Sequence, residues 1–184
     1  MATITIAYAG RNGMTRECAE RLAKELNGID VTVCNLADRF PDLAKTDVLL
    51  AGSAVRHGRL LPEAKRFFDE VARTGGDLPV GVFLCCGYAD RFMEYRDRLI
   101  PRDLLERAFL TSNFGGTLNP AGKPFWDRMW LFFARSGIVE SEIEDGEYTP
   151  VLPGMIPENI GQMASFARRQ LAGKRIAEMN NNAQ

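Results

Sequence analysis

ITIAYAGRNGMTRECAERLAKEL, residues Ile4 to Leu26, is the stretch that decides how this chain folds. Its apolar start, Ile4-Thr5-Ile6-Ala7-Tyr8, reads as a strand, and Ala9-Gly10-Arg11-Asn12-Gly13-Met14-Thr15 breaks it. Cys18, Ala19, Leu22, Ala23 and Leu26 then recur at helical spacing on one face. Strand, tight turn and helix in that order make a place to hold a phosphate. The first backbone amides of a helix have no partner inside it, and the helix dipole favours an anion there. Gly10 and Gly13 let the backbone bend tightly and approach a ligand, and Thr15 adds a hydroxyl donor. The turn is not the G-x-G-x-x-G of a dinucleotide site, nor does the Gly-Lys-Ser/Thr of a P-loop follow. The plainer alternative is a tight strand-to-helix turn with no ligand, so the rest of the chain must decide.

Downstream, Val31-Thr32-Val33-Cys34-Asn35-Leu36 reads as a second strand and Asp47-Val48-Leu49-Leu50-Ala51-Gly52-Ser53 as a third. Both are nearly continuous apolar runs, as expected of strands covered on both faces. Pro62 opens a helix whose buried face is Ala64, Phe67, Phe68, Val71 and Ala72, and Gly75-Gly76 ends it. Val80 to Cys86 is a fourth strand. Asp90 to Phe109 looks helical with a break at Pro101, and Leu110 to Leu118 is a fifth strand. Ile160, Met163, Phe166, Ala167 and Leu171 outline a last amphipathic helix. Strands alternating with helices imply an α/β fold, a five-stranded parallel sheet with helices on both faces. The leading strand order is the flavodoxin-like 2-1-3-4-5. One domain is expected over residues 1–175, with residues 176–184 a frayed tail.

In such a sheet, ligands bind beyond the carboxyl ends of the strands, where the strand order reverses. The turns after the first, third and fourth strands should therefore meet one ligand. The third-strand turn, Ser53-Ala54-Val55-Arg56-His57-Gly58-Arg59, brings arginines and the only histidine of the chain. The fourth-strand turn, Cys86-Gly87-Tyr88, brings a glycine for close approach and an aromatic face. A phosphate cradle, cationic donors and an aromatic surface suit a flat heterocycle carrying a phosphate, which points to FMN. Cationic donors near the ring would stabilise its anionic reduced form. His57, with Arg56 beside it, is the residue expected to touch the ring or a substrate. The plainer alternative makes His57, Arg56 and Arg59 solvated charges and Tyr88 a loop-packing residue.

The bulk properties narrow the classes. The 184 residues suit one domain with a sizeable core, and 46% apolar with 26% charged content is ordinary for a globular chain. A net charge of −1 gives no reason to expect nucleic acid. Neither a membrane-spanning run nor a signal peptide is visible, so a cytoplasmic location is expected. Cys18, Cys34, Cys85 and Cys86 show no metal-ligand spacing and read as small buried hydrophobes. A redox role for the adjacent Cys85 and Cys86 is disfavoured, because neighbouring strand residues point to opposite faces.

From Phe125 to Arg135 an aromatic helix is expected, with Phe125, Trp126, Met129, Trp130, Phe132 and Phe133 on one face. Packing of that face on the sheet is the default. The alternative is a surface for a membrane, a quinone or a second copy of the chain, with Phe125, Trp126, Trp130 and Phe133 as the contact.

At these residues the sequence resembles the flavodoxin-domain family that includes the menaquinone-dependent protoporphyrinogen oxidases. Tyr8 to Thr15 is similar to that group's Tyr-Ser-Thr-Arg-x-Gly-x-Thr, and Gly52 to Gly58 to its Gly-x-x-x-Arg-Tyr-Gly. Phe125-Trp126-Asp127-Arg128-Met129 is similar to its Trp-Phe-Asp-Arg-x-Met, and Glu147-Tyr148-Thr149 to its Glu-Tyr-Thr. The resemblance implies FMN held by the three turns, with phosphate at Gly10, Arg11, Asn12, Gly13, Met14 and Thr15 and the ring between the later two. It also implies electron transfer from a reduced substrate, such as a porphyrinogen, through FMN to a quinone or redox protein at or near a membrane. The chain departs from the pattern at Ala9 and Gly10, which replace two hydroxyl residues, and between Cys86 and Arg102. Three readings follow: an FMN-dependent oxidoreductase, a flavodoxin-type electron carrier, and a domain that keeps the fold without FMN.

Overall fold

The computed structural model describes residues 3–11, 13–116 and 154–181. Thr3–Ala9 forms β1, buried along nearly its whole length, and Met14–Glu25 forms α1. Asp30–Asn35 is β2 and Val48–Arg56 is β3, joined by a chain that includes one 3-10 turn at Leu43–Lys45. β4 is the short Arg59–Leu60, α2 runs Pro62–Thr74 and β5 is Val80–Cys85. Phe92–Leu99 and Arg102–Arg107 are α3 and α4, Ala108–Asn113 is β6, and Pro157–Asn181 is α5.

Five strands pair in parallel in the order β2-β1-β3-β5-β6. This is the expected 2-1-3-4-5 once the two-residue β4 is set aside. The register places Ile6 between Val33 and Leu50. The chain leaves β1 toward β2 on one side and returns to β3 on the other, so the order reverses between β1 and β3. The fold therefore opens its crevice where the sequence places the turn Gly10 to Thr15.

Alternation along each strand splits the core between two layers. Ile4, Ile6, Leu50, Phe83 and Cys85 face α1 and α5, packing on Cys18, Leu22, Ile160 and Met163. Ala7, Leu49, Ala51, Val82 and Leu84 face α2 and α4, packing on Phe67, Phe68, Val71 and Leu104. Arg168 of α5 secures the first layer, donating to the carbonyls of Glu25 and Asn27 at 2.8 and 2.9 Å. Those bonds satisfy carbonyls at and just beyond the end of α1 that have no helical partner.

Several boundaries differ from the expected ones, each for a local reason. β2 lies at the sheet edge and is half exposed, so the burial expected on both faces holds for β3 but not for β2, where Val33 is 39% exposed. β3 runs on to Arg56 and folds back through His57 and Gly58 to pair antiparallel with β4. β6 begins earlier than expected, at Ala108, and stops at Asn113, just before Gly115 turns with φ of 86° and bridges to Met155. Pro101 does break the helical segment, with Ile100 extended before it. α5 continues to Asn181, past the outlined stripe.

Gly52 sits where β3 passes beneath an aromatic stack. A Cβ there would lie 2.1 Å from the Phe83 ring, which stacks on Phe114 at 4.4 Å and 11°. Both rings are fully buried. Gly52→Ala is expected to cost about 1–3 kcal/mol through overpacking. Urea unfolding checks this; an unchanged midpoint would show that the stack can shift.

Candidate functional site

The carboxyl edge is built from the turn Gly10 to Thr15, the hairpin at His57 and the turn Cys86 to Tyr88. Gly13 stands at the N-cap of α1 with φ of 83°, a left-handed conformation that suits glycine. It supplies no side-chain cap, so among the described residues the first amides of α1 are left to an anion at the point where strand order reverses. Gly10 lies against Thr15, whose Cβ would be 2.7 Å from any Cβ added there. Thr15 is 3% exposed and its hydroxyl is turned inward, toward Gly10 and the Cys85 thiol. The Thr15 hydroxyl, expected to meet the ligand, packs against the turn itself. Met14 is half-buried, and Asn12 lies outside the described residues.

Arg11 reaches across the edge to Glu63 in the first turn of α2. Its Nη2 lies 3.1 Å from Glu63 Oε1 and 3.2 Å from Oε2, and donates its hydrogen bond to Oε2. Glu63 is only 5% exposed. Nothing in the local sequence pairs these residues, and Glu63 was not among the expected site residues.

At the next turn Ser53 is fully buried and its hydroxyl donates to the Ala54 carbonyl at 2.9 Å. Ala54, Val55 and Arg56 are half-buried and complete β3. His57 is exposed, with φ of 49°, and Gly58 follows at 68°. Two successive left-handed residues between the paired Arg56 and Arg59 give the tight hairpin whose twist matches its strands. α3 holds the tip: Arg98 donates to the Gly58 carbonyl at 3.1 Å, pairs with Glu94 at 2.9 Å and lies over the Tyr95 ring.

The third turn hangs from Asn113 at the end of β6. Its Oδ1 accepts from the Gly115 amide at 3.0 Å, the Cys86 amide at 3.5 Å and the Cys86 thiol at 3.4 Å. Its Nδ2 is buried with no hydrogen-bond partner. Gly87 and Tyr88 are half-buried, with Arg91 placed 5.9 Å from the Tyr88 ring centre. No sequence signal marked Asn113, because its role depends on strand pairing 27 residues away.

All four cysteines are free and buried. Cys85 faces α1 and Cys86 faces α2, the opposite-face arrangement read from the sequence. The hydrogen bond that Cys85 shares with Cys18, together with burial, pushes the Cys85 thiol well up, while the same contact moves Cys18 down. Among the described residues no His, Cys, Asp or Glu group could hold a metal ion, and no helix is long and apolar enough to cross a membrane. The aromatic segment with Phe125, Trp126, Trp130 and Phe133 lies outside the described residues.

Burial, followed by the charge of Asp90, raises the Cys86 thiol from 9.0 to about 11. The folded chain thus holds a proton that the unfolded chain releases, so this stabilisation is full below pH 9 and lost as pH rises toward about 11. Urea midpoints should fall across that range, and Cys86→Ala should flatten part of the fall. A decline identical in the variant would contradict the assignment.

A flavodoxin domain family model matches residues 5–137. Among solved structures, a Fusobacterium nucleatum flavodoxin bound to flavin mononucleotide is 13% identical, with 92% of this chain and 99% of that one covered at a TM-score of 0.52. A short-chain flavodoxin associated with a bacterial microcompartment is 21% identical over 77% of this chain and 99% of that one, at 0.48. Rubredoxin oxygen:oxidoreductase from Desulfovibrio gigas is 13% identical over 94% of this chain and 36% of that one, at 0.49. This chain thus spans about a third of the length of that last protein. No curated protein matches the chain.

Proposed function

The chain belongs to the flavodoxin domain family, and from that premise we propose that it binds FMN at the carboxyl edge and works in electron transfer. The observation that carries this reading is the uncapped start of α1 behind Gly13, at the reversal of strand order. The donor set fits a phosphate monoester: backbone amides on a helix N-terminus, and the Arg11 guanidinium carried by the same turn. FMN bound there supplies a ring that takes up and returns electrons. The protein's part is to hold and shield that ring. The His57 hairpin, held by Arg98, and the Cys86–Tyr88 turn, held by Asn113, border the place proposed for it. His57 and Arg56 are the proposed ring or substrate contacts. The partners proposed are a small reduced substrate and a quinone or redox protein.

Two uses of such a site fit the family: an electron carrier and an oxidoreductase with its own substrate. The finer oxidoreductase reading, porphyrinogen oxidation with a quinone as acceptor, draws its support from the motif likeness at Tyr8 to Thr15 and Gly52 to Gly58. The replaced hydroxyls at Ala9 and Gly10 do not empty the site of donors. Ala9 is fully buried, and a side chain at Gly10 would strike Thr15.

Added FMN should restore a flavin absorption band to stripped protein. At about 100 times its Kd it should raise stability by about 2.7 kcal/mol. A colourless protein with no thermal shift would overturn the FMN reading. Turnover of protoporphyrinogen with a menaquinone analogue would select the finer reading, and a flavin-loaded protein without it would select the carrier.

A further inference from the structure

We propose that the Arg11–Glu63 ion pair is the phosphate-selecting element of this site, with Arg11 touching the ligand and Glu63 acting as its positioning residue. The inference rests on the FMN reading above and deepens it.

The first turn is short of side-chain donors. Ala9 is buried, Gly10 and Gly13 offer none, and Thr15 is 3% exposed with its hydroxyl turned toward Gly10. The Ser53 hydroxyl, at the end of the neighbouring strand, is already given to the Ala54 carbonyl. Among the described residues of the turn, Arg11 is the one side chain with charged donors that reaches solvent, its side chain 47% exposed. A guanidinium carries five N–H groups in a planar fork that matches the oxygens of a phosphate. Glu63 engages only Nη2, leaving Nη1 and Nε without a recorded partner among the described residues.

Glu63 gives the arrangement its direction. A carboxylate as buried as this one is costly unless a cation meets it, so Arg11 is drawn back across the edge and kept there. An arginine on a turn would otherwise be spread over many rotamers, and anchoring by one nitrogen lowers the entropy lost when the others meet an anion. The group that holds Arg11 in place thus comes from a residue 52 positions away.

A pair that merely tied β1 to α2 would affect stability and not ligand choice, and binding measurements separate the two roles. FMN and riboflavin differ by the phosphate alone, and quenching of their fluorescence reports affinity for each. Wild type should prefer FMN. Arg11→Ala should weaken FMN about 10- to 100-fold, the loss of one charged hydrogen bond, and leave riboflavin within about twofold. Glu63→Gln should weaken FMN about three- to tenfold with the same indifference to riboflavin, since it removes the anchor and keeps the donor. The double variant spares the fold a stranded buried carboxylate and should bind FMN no worse than Arg11→Ala alone. Arg11→Lys, which keeps charge without the fork, should fall between wild type and alanine. Folded variants with an unchanged FMN-to-riboflavin ratio would overturn the proposal and leave a structural tie. Wild type that binds neither flavin would instead defeat the FMN reading itself.

Discussion

The Thr15 side chain packed under Gly10 is the contact on which the edge of this molecule depends. With no Cβ at Gly10, the chain can leave β1 and drop straight onto Thr15, in the first turn of α1. Gly13 then completes the bend in a left-handed conformation and leaves the start of α1 without a side-chain cap. These two steps leave backbone amides at the place proposed for an anion. The rest of the sheet determines where that site sits, because parallel pairing on both sides of β1 places it at the reversal of strand order.

The sequence made the strands and their order legible through physical signals that act locally. Continuous apolar runs at Leu49 to Ala51 and Val80 to Leu84 could belong only to strands buried on both faces, and the structure buries them. Pro62 and Pro101 marked a helix start and a break because ring geometry acts on neighbouring residues alone. The hairpin at His57 was not legible. A left-handed histidine ahead of glycine leaves a composition that reads equally well as open loop. Edge exposure of β2 was hidden for a related reason, since its valines look the same whether or not a helix covers them.

The three turns were legible in the sequence, and the network that holds them was not. Gly10, Gly13 and Cys86 to Tyr88 stand where their spacing put them, yet the side chains that fix them come from elsewhere. Glu63 holds Arg11, Arg98 holds the Gly58 carbonyl, and Asn113 holds the Cys86 amide. Each bond spans tens of residues, and no periodicity or motif records such a distance. Thr15 and Ser53 show the converse. The Thr15 hydroxyl reads as a ligand donor in the sequence and packs toward Gly10 in the structure, while the buried Ser53 hydroxyl turns to its own strand.

The central claim is that the opening amides of α1 grip a phosphate. Amide chemical shifts of isotopically labelled protein, titrated in parallel with FMN and riboflavin, test it most directly. The account predicts large movements at Gly13, Met14, Thr15 and Arg16 with FMN and little at those amides with riboflavin. Equal responses to the two flavins, or none at those four residues, would contradict it.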